Sequence, residues 1–308
     1  MKKKLYFIIS IFLLTALIFS WFVYKNYKIK QKKLKKEFNH QIWGHNKINP
    51  TTGKPYPVLE NKNFVIVIPS YNNELFYKKN LESVFAQNYE NYRVIYVDDA
   101  SQDKTYEKVK QFIEDNHQTH RVTLIHNETN CGPIANIYKM IHSCKDNEII
   151  VTLDGDDWLA SHQVLTILNQ YYANPNIWVT FGDFITYPTY EKSGYGPFFI
   201  GELSKKSFRE IPWRTSHLRT FYAGLFKKID INDLKYQGTF FKMTGDMACM
   251  FPIIEMSNPH FCFIPEILYI YNRANVLNED KINKEKQVQM EKIIRSMPPY
   301  QPIKKLSF

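Results

Sequence analysis

Several absences narrow the reading of this 308-residue sequence before any motif is sought. Its four cysteines, Cys131, Cys144, Cys249 and Cys262, form no CxxC pair, which excludes a dense disulfide framework and argues against a zinc site. Free, mostly buried thiols are expected. No GxGxxG follows a strand-like run and no GxxxxGKS or GxxxxGKT occurs, so neither a dinucleotide fold nor a P-loop NTPase fits. The GxSxG nucleophile elbow is missing too. Excess charge is absent from most of the chain. The formal net charge is +10, but residues 1–36 hold 10 Lys and no acid, leaving 30 basic and 30 acidic residues elsewhere. A general basic face is unsupported, and no nucleic-acid partner is expected.

What is present begins with "LYFIISIFLLTALIFSWFVY" (5–24), which carries no charge and is flanked by lysines. As a helix rising about 1.5 Å per residue it would span roughly 30 Å, a bilayer's hydrocarbon thickness. The stretch is long for a signal peptide and shows no cleavage site, so a retained single-pass anchor after a basic flank (1–4) is expected. The positive-inside count places the globular part on the cytoplasmic side, and a eukaryotic secretory setting would make it lumenal. Residues 25–60 read as a basic stalk.

From residue 63 strands and helices alternate. "NFVIVIP", "YRVIYV", "RVTLIH" and "EIIVTL" read as strands. "NELFYKKNLESVFAQ" reads as a helix with Leu75, Leu81, Val84 and Phe85 on one face, and "PIANIYKMIHSCKD" as another. Continuous β-branched runs bounded by helices indicate an α/β fold with a mostly parallel sheet covered on both faces. Three polar clusters then share one rim, beyond the carboxyl ends of the strands: Pro69-Ser70-Tyr71, Asp98-Asp99, and Asp154-Gly155-Asp156-Asp157. Further on, "NIWVTFGDFITY" is expected as a strand and "TSHLRTFYAGLFKKI" as a helix. "GDMACMFPIIEM" is expected as a helix that Pro252 ends or kinks, "FCFIPEILYIYN" as a strand, and 278–297 as a closing helix. Residues 187–215 are long enough for a lid.

Three carboxylates within four residues repel one another and are costly to desolvate unless a cation is present. Asp154 and Asp156 suit Mg2+ or Mn2+, which take few protein carboxylates and complete their shell with water and phosphate oxygens. At the second rim, Ser101 or Asp103 would cap the next helix, or Asp99 would accept hydrogen bonds from a base or ribose.

Taken in order, "VIVIPSYNN", "LESVFAQNYENYRVIYVDDASQDKT", "NCGPIANI" and "LDGDDWL" resemble the family 2 glycosyltransferases of the GT-A fold, across roughly 63–160. The resemblance implies a Rossmann-like fold with a nucleotide-sugar-binding half (61–160) and an acceptor-binding half with a C-terminal helix (161–308). Pro69, Tyr71 and Asp99 would hold the base of a nucleotide-sugar, with a UDP-sugar as the expected donor. Asp154 and Asp156 would hold the metal and diphosphate, and Asp157 would contact the donor sugar. In "TGDMACMF", Asp246 would act as general base on an acceptor hydroxyl, with inversion at the anomeric carbon. Here Gly245 replaces the family's usual Glu.

Softer expectations are His217 and Arg219 facing the diphosphate or acceptor, Arg273 closing over the pyrophosphate, and Trp158, Trp213 and Tyr residues of 187–196 stacking on sugars. The acceptor would be carbohydrate, lipid-linked or protein-linked. The alternatives are a non-catalytic nucleotide-sugar-binding relative, which would tend to lose Asp99, Asp156 or Asp246, and a sugar nucleotidyltransferase, which would carry a Gly/Arg/Lys-rich loop where "PSYNNE" stands. A receiver domain would open on its acidic strand, whereas here a strand and helix come first.

Overall fold

Seven consecutive residues from Phe64 to Ser70 are all buried, as a central parallel strand requires. The computed structural model describes residues 54–276 apart from Leu59, residues 284–308, and the isolated Lys25 and Thr52. Strands β1 (Phe64–Ser70), β2 (Tyr92–Asp98), β3 (Val122–His126) and β4 (Ile149–Thr152) alternate with helices α1 (Tyr77–Phe85), α2 (Thr105–Asp115) and α3 (Pro133–His142). Then come β5 (Trp158–Leu159), α4 (Val164–Tyr172), β6 (Val179–Tyr187), α5 (Ile200–Leu203), β7 (Ser216–Tyr222) and α6 (Ala223–Phe226). A small hairpin of β8 (Lys235–Tyr236) and β9 (Thr239–Phe240) precedes α7 (Gly245–Ser257), β10 (Phe261–Asn272) and α8 (Lys284–Ser296). Eight strands form one sheet in the order β3-β2-β1-β4-β7-β6-β10-β5. Within it β7 runs antiparallel to both β4 and β6, and β5 antiparallel to β10, while the other pairs are parallel. Pro57–Phe308 cluster as one compact unit.

The parallel register sets the rim. Ser70 stands level with Asp98, and Asp98 with His126. Past the end of β4 the chain keeps following β1: Leu153 N donates to Val67 O and Gly155 N to Pro69 O, both at 3.1 Å. The acidic turn is therefore delivered beside the end of β1 by an extension of the strand ladder.

The structure corrects several expectations. Residues 216–222 form a strand, where a helix is expected from their apolar spacing. A segment between β4 and β6 has its state set by those neighbours, and six of its seven residues are buried. Leu75 lies before the start of α1 and is 85% exposed. Helix α7 continues through Pro252 to Ser257 and is buried on nearly every side, so packing outweighs the roughly 3 kcal/mol cost of an interior proline. Part of residues 187–215, where a lid is expected, packs into the body of the domain. Phe198 and Phe208 pack edge-on against each other at 5.0 Å between centroids, and on Phe181 and Phe261. Arg209 is buried in an ion pair with Glu255 at 2.7 Å.

The single-pass membrane localisation expected from residues 5–24, and the orientation drawn from it, are corrected as well. Among the described residues no helix is long and apolar enough to cross a membrane. Residues 5–24 themselves, most of the 25–60 segment, and 277–283 lie outside the described residues.

Candidate active site

The three rims and the start of α7 border one cleft of about 560 Å3. Pro69, Tyr71, Asp99, Asp154, Asp156, Asp157, His217, Arg219 and Asp246 all line it. Residues 69–157 reach it as ends of parallel strands, Arg219 from the antiparallel β7, and Asp246 from the first turn of α7. Trp158 and Trp213 are engaged elsewhere. Trp158 packs on Tyr187, with Lys79 Nζ 4.6 Å from its ring centre, and Trp213 packs on Phe251. Neither they nor Arg273 nor any residue of 187–215 lines the cleft.

The two aspartates at the end of β2 have different partners. Asp98 is fully buried and accepts from Ser101 Oγ at 2.6 Å and His126 Nδ1 at 2.9 Å, so it braces the turn. Asp99 accepts from Asn127 Nδ2 (2.7 Å) and Cys131 N (2.9 Å) on Oδ1, and from Gly132 N (2.8 Å) on Oδ2. Gly132 has φ +85°, a conformation that side-chain-bearing residues rarely adopt, which lets two successive N–H groups converge on one carboxylate. One lone-pair position of Oδ2 remains.

The acidic turn is held by amides and a phenol. Asn80 Nδ2 donates to the carbonyls of Asp154 (2.9 Å) and Asp157 (2.8 Å). Asp157 is buried, with Tyr269 Oη donating to Oδ2 at 2.5 Å and Asn272 N to Oδ1 at 2.6 Å. These two bonds brace the turn, and Asp157 lines the cleft beside Asp154 and Asp156. Asp154 and Asp156 stand half-buried at the cleft. Desolvation, then the charge of Asp156, pushes the Asp154 carboxyl up to about 6. Desolvation also raises Asp156, and it raises Asp157 well above the usual carboxylate range, with help from its two acidic neighbours. Arg219 is the cation that Asp154 senses, but its guanidinium is bound to Asp246.

Arg219 is itself buried. It donates from Nε to Thr215 O (3.0 Å) and from a terminal nitrogen to Asp246 Oδ2 (2.8 Å), and it lies 3.3 Å from His217 Nε2. Burial, then the Arg219 charge, holds His217 well below the normal histidine range. His217 is therefore neutral, its ring stacked on Tyr269 at 4.3 Å. Asp246 Oδ1 takes Met247 N at 2.9 Å, and the side chain stays 34% exposed.

A family model, "Glycosyl transferase family 2", matches residues 65–233, more than half of the chain. The chain belongs to this family. At the family level the activity is glycosyl transfer from a nucleotide-sugar donor. GlyA of Streptococcus pneumoniae, a glycosyltransferase, is 30% identical over 110 residues, which are 36% of this chain and only 15% of GlyA. The glycosyltransferase GlyG of the same organism is 26% identical over 222 residues, 68% of this chain and 70% of GlyG. The fold is similar to that of the mannosyltransferase PcManGT from Pyrobaculum calidifontis, solved with GDP-Man and Mn2+ (TM-score 0.54, 16% identity, 80% of this chain and 69% of that one).

Within this glycosyltransferase fold two glycines have steric reasons. A Cβ on Gly155 would lie 2.7 Å from Asn73 Nδ2 and from Ser70 Cβ and Oγ. Those atoms belong to a buried knot, with Asn73 Nδ2 donating to Ser70 Oγ at 2.9 Å and Tyr96 Oη donating to the same oxygen at 2.8 Å. Gly155→Ala is expected to cost about 1–3 kcal/mol in chemical denaturation, and to weaken nucleotide-sugar binding as the turn is displaced. Unchanged stability and binding would contradict this packing. At Gly245 a Cβ would meet Ile134 Cγ1 at 2.1 Å, so a side chain there would require Ile134 to move.

Sequence reasoning missed Asn80, Asn136, Tyr269 and Asn275. Asn275 Nδ2 donates to Asp156 Oδ2 at 2.7 Å. The available signals were weak: Asn80, for example, is a polar residue next to the core residue Leu81 but also next to the exposed Lys79.

Proposed function

We propose that the protein is a divalent-metal-dependent, inverting glycosyltransferase that moves a sugar from a UDP-sugar to an acceptor hydroxyl. The observation that carries the reading is one cleft bordered by Asp99, by the half-buried pair Asp154 and Asp156, and by Asp246 held on Arg219. Tyr71, 40% exposed on the wall, offers a ring face to the base, and Asp99 Oδ2 an acceptor to its ring N–H.

Asp154 and Asp156 fit a hard divalent ion: they are crowded and partly desolvated, and the nearby Arg219 is engaged with Asp246. Among the described residues no three His, Cys, Asp or Glu side chains form a ready-made cage, and such an ion can complete its shell with water and substrate oxygens. Bound there, the ion would neutralise charge on the departing diphosphate. The mannosyltransferase of similar fold, with GDP-Man and Mn2+, offers the same pairing of nucleotide-sugar and ion. Asp246 takes the proton of the acceptor hydroxyl as its oxygen bonds the anomeric carbon. The bond from that carbon to the diphosphate oxygen breaks, and nucleoside diphosphate leaves. Arg219 holds the Asp246 carboxylate in place, and neutral His217 turns Nε2 toward Arg219.

The raised Asp154 pKa sets a sign. An unfolded aspartate titrates near 3.9, so between about 4 and about 6 the metal-free fold binds more protons than the unfolded chain. Metal-free stability should therefore fall as pH rises through that window. Mn2+ needs the ionised carboxylate, so its stabilisation should be small at pH 5 and complete by about pH 7.5. Melting curves with and without Mn2+ measure this, and an Mn2+ shift independent of pH would contradict it.

The functional test is a nucleotide-sugar panel on the full chain with Mn2+ or EDTA, following release of nucleoside diphosphate. Release from a UDP-sugar that needs Mn2+ supports the reading. Metal-independent release, or no nucleotide binding, contradicts it.

A further inference from the structure

Charge is divided unevenly along the cleft. Asp99, Asp154, Asp156 and Asp157 come from strand ends, whereas the two permanent cations among the described cleft residues, Arg219 and Lys242, accompany Asp246. Arg219 is bonded to Asp246, and Lys242 lies in the segment between β9 and α7 that leads into it. Neither cation is used up. Arg219 is 8% exposed and held from three sides. Its Nε donates to Thr215 O at 3.0 Å, and its Nη2 donates to Asp246 Oδ2 at 2.8 Å and lies 3.3 Å from His217 Nε2. These contacts fix the guanidinium, yet among the described residues its Nη1 has no hydrogen-bond partner. A largely buried donor without a partner is costly, and an acceptor arriving with a ligand relieves it. Lys242 is exposed and makes neither ion pair nor hydrogen bond among the described residues. Phe221, Cys249 and Met250 add apolar wall to the cleft, and a charge-assisted hydrogen bond beside such a wall is stronger than in open water.

We infer that Arg219 Nη1 and Lys242 Nζ form an anion subsite beside Asp246, taking a phosphate or carboxylate carried by the acceptor or by the transferred sugar; this rests on the functional reading above. The donor diphosphate is matched elsewhere, by the ion proposed at Asp154 and Asp156. In an inverting displacement it leaves from the face of the anomeric carbon opposite the base. A cation bonded to the base therefore stands on the incoming side. Because Arg219 is paired with Asp246, Lys242 supplies a positive charge there that no described side chain balances. A neutral substrate would leave that charge unmet. An oxyanion would satisfy both the fixed guanidinium edge and the ammonium.

The test is calorimetric titration of the full chain with Mg2+ at low salt, where charge contacts are least screened, in two arms. The first compares UDP-glucuronate with UDP-glucose, which lacks the carboxylate. The second titrates UDP-saturated protein with glycerol 3-phosphate and with glycerol. In at least one arm the anionic probe should bind about tenfold or more tightly than its neutral counterpart, and that arm identifies which substrate carries the anion. Lys242→Gln should erase the preference and Lys242→Arg should retain it, with UDP affinity within about threefold of wild type in both. Lys242 is exposed, so these variants leave the core intact. Equal binding of anionic and neutral probes in both arms overturns the inference. A preference that survives Lys242→Gln also overturns it, by placing the probe at the metal. Loss of UDP affinity in Lys242→Gln overturns it too, by assigning the lysine to the diphosphate. Failure of the wild type to bind UDP at all sinks the functional reading and this inference with it. Tight UDP binding without an anion preference overturns only the inference.

Discussion

Asp246→Asn is expected to lower kcat by roughly 10^2- to 10^4-fold while leaving affinity for UDP within about threefold. The split follows from position. Asp246 enters the cleft from α7, whereas the base and diphosphate are assigned to ends of parallel strands. The substitution removes a proton acceptor and little of the proposed donor site. Its polar surroundings are demanding, because Oδ2 accepts from Arg219 at 2.8 Å and Oδ1 from Met247 N at 2.9 Å. An asparagine satisfies one of these and opposes the other. A melting curve of the variant must therefore accompany the kinetics, and near-native stability would attribute the lost turnover to proton transfer. A rise in KM with unchanged kcat would contradict the general-base role and assign Asp246 to binding.

Asp156→Asn is expected to abolish the Mn2+ dependence of UDP binding and to weaken that binding in Mn2+ by roughly 100-fold or more, since carboxylate charge is what a hard cation requires. The variant should also be no less stable than wild type in EDTA. Asp156 is raised by burial, and its charge raises both Asp154 and Asp157, so removing that charge relieves repulsion in the metal-free protein. The two effects have opposite signs, higher metal-free stability and lower metal affinity, and a merely structural aspartate would produce only destabilisation. Calorimetry and thermal melts on the same preparations measure both. Mn2+-dependent UDP binding at wild-type strength in this variant would contradict the assignment.

The fold was most legible where local and tertiary demands coincide. β1, β2 and β4 are mostly apolar and end in polar residues, so their type, their burial and the rim they share could all be read directly. β7 could not, because "SHLRTFY" carries a helix-compatible spacing and becomes a strand only between β4 and β6. Leu75 has the spacing of a core residue but lies just ahead of α1, where nothing covers it. At the site, charge was conspicuous and amides were not. The aspartates that line the cleft stand out at strand ends. Asn80, Asn136 and Asn275 come from α1, α3 and the turn after β10, and acquire meaning only when the fold brings them to the backbone carbonyls of the acidic turn, to Asn127 and to the Asp156 carboxylate respectively. Asp157 stands out in the motif, but its partners Tyr269 and Asn272, which come from β10, do not.

The most direct test of the central claim is a crystal of the protein grown with UDP and Mn2+, with the manganese located by its anomalous scattering. The account predicts one manganese at coordinating distance from Asp156 or Asp154 and from the UDP diphosphate, with the uracil between Tyr71 and Asp99. Manganese away from this turn, or UDP bound outside the cleft, would contradict it.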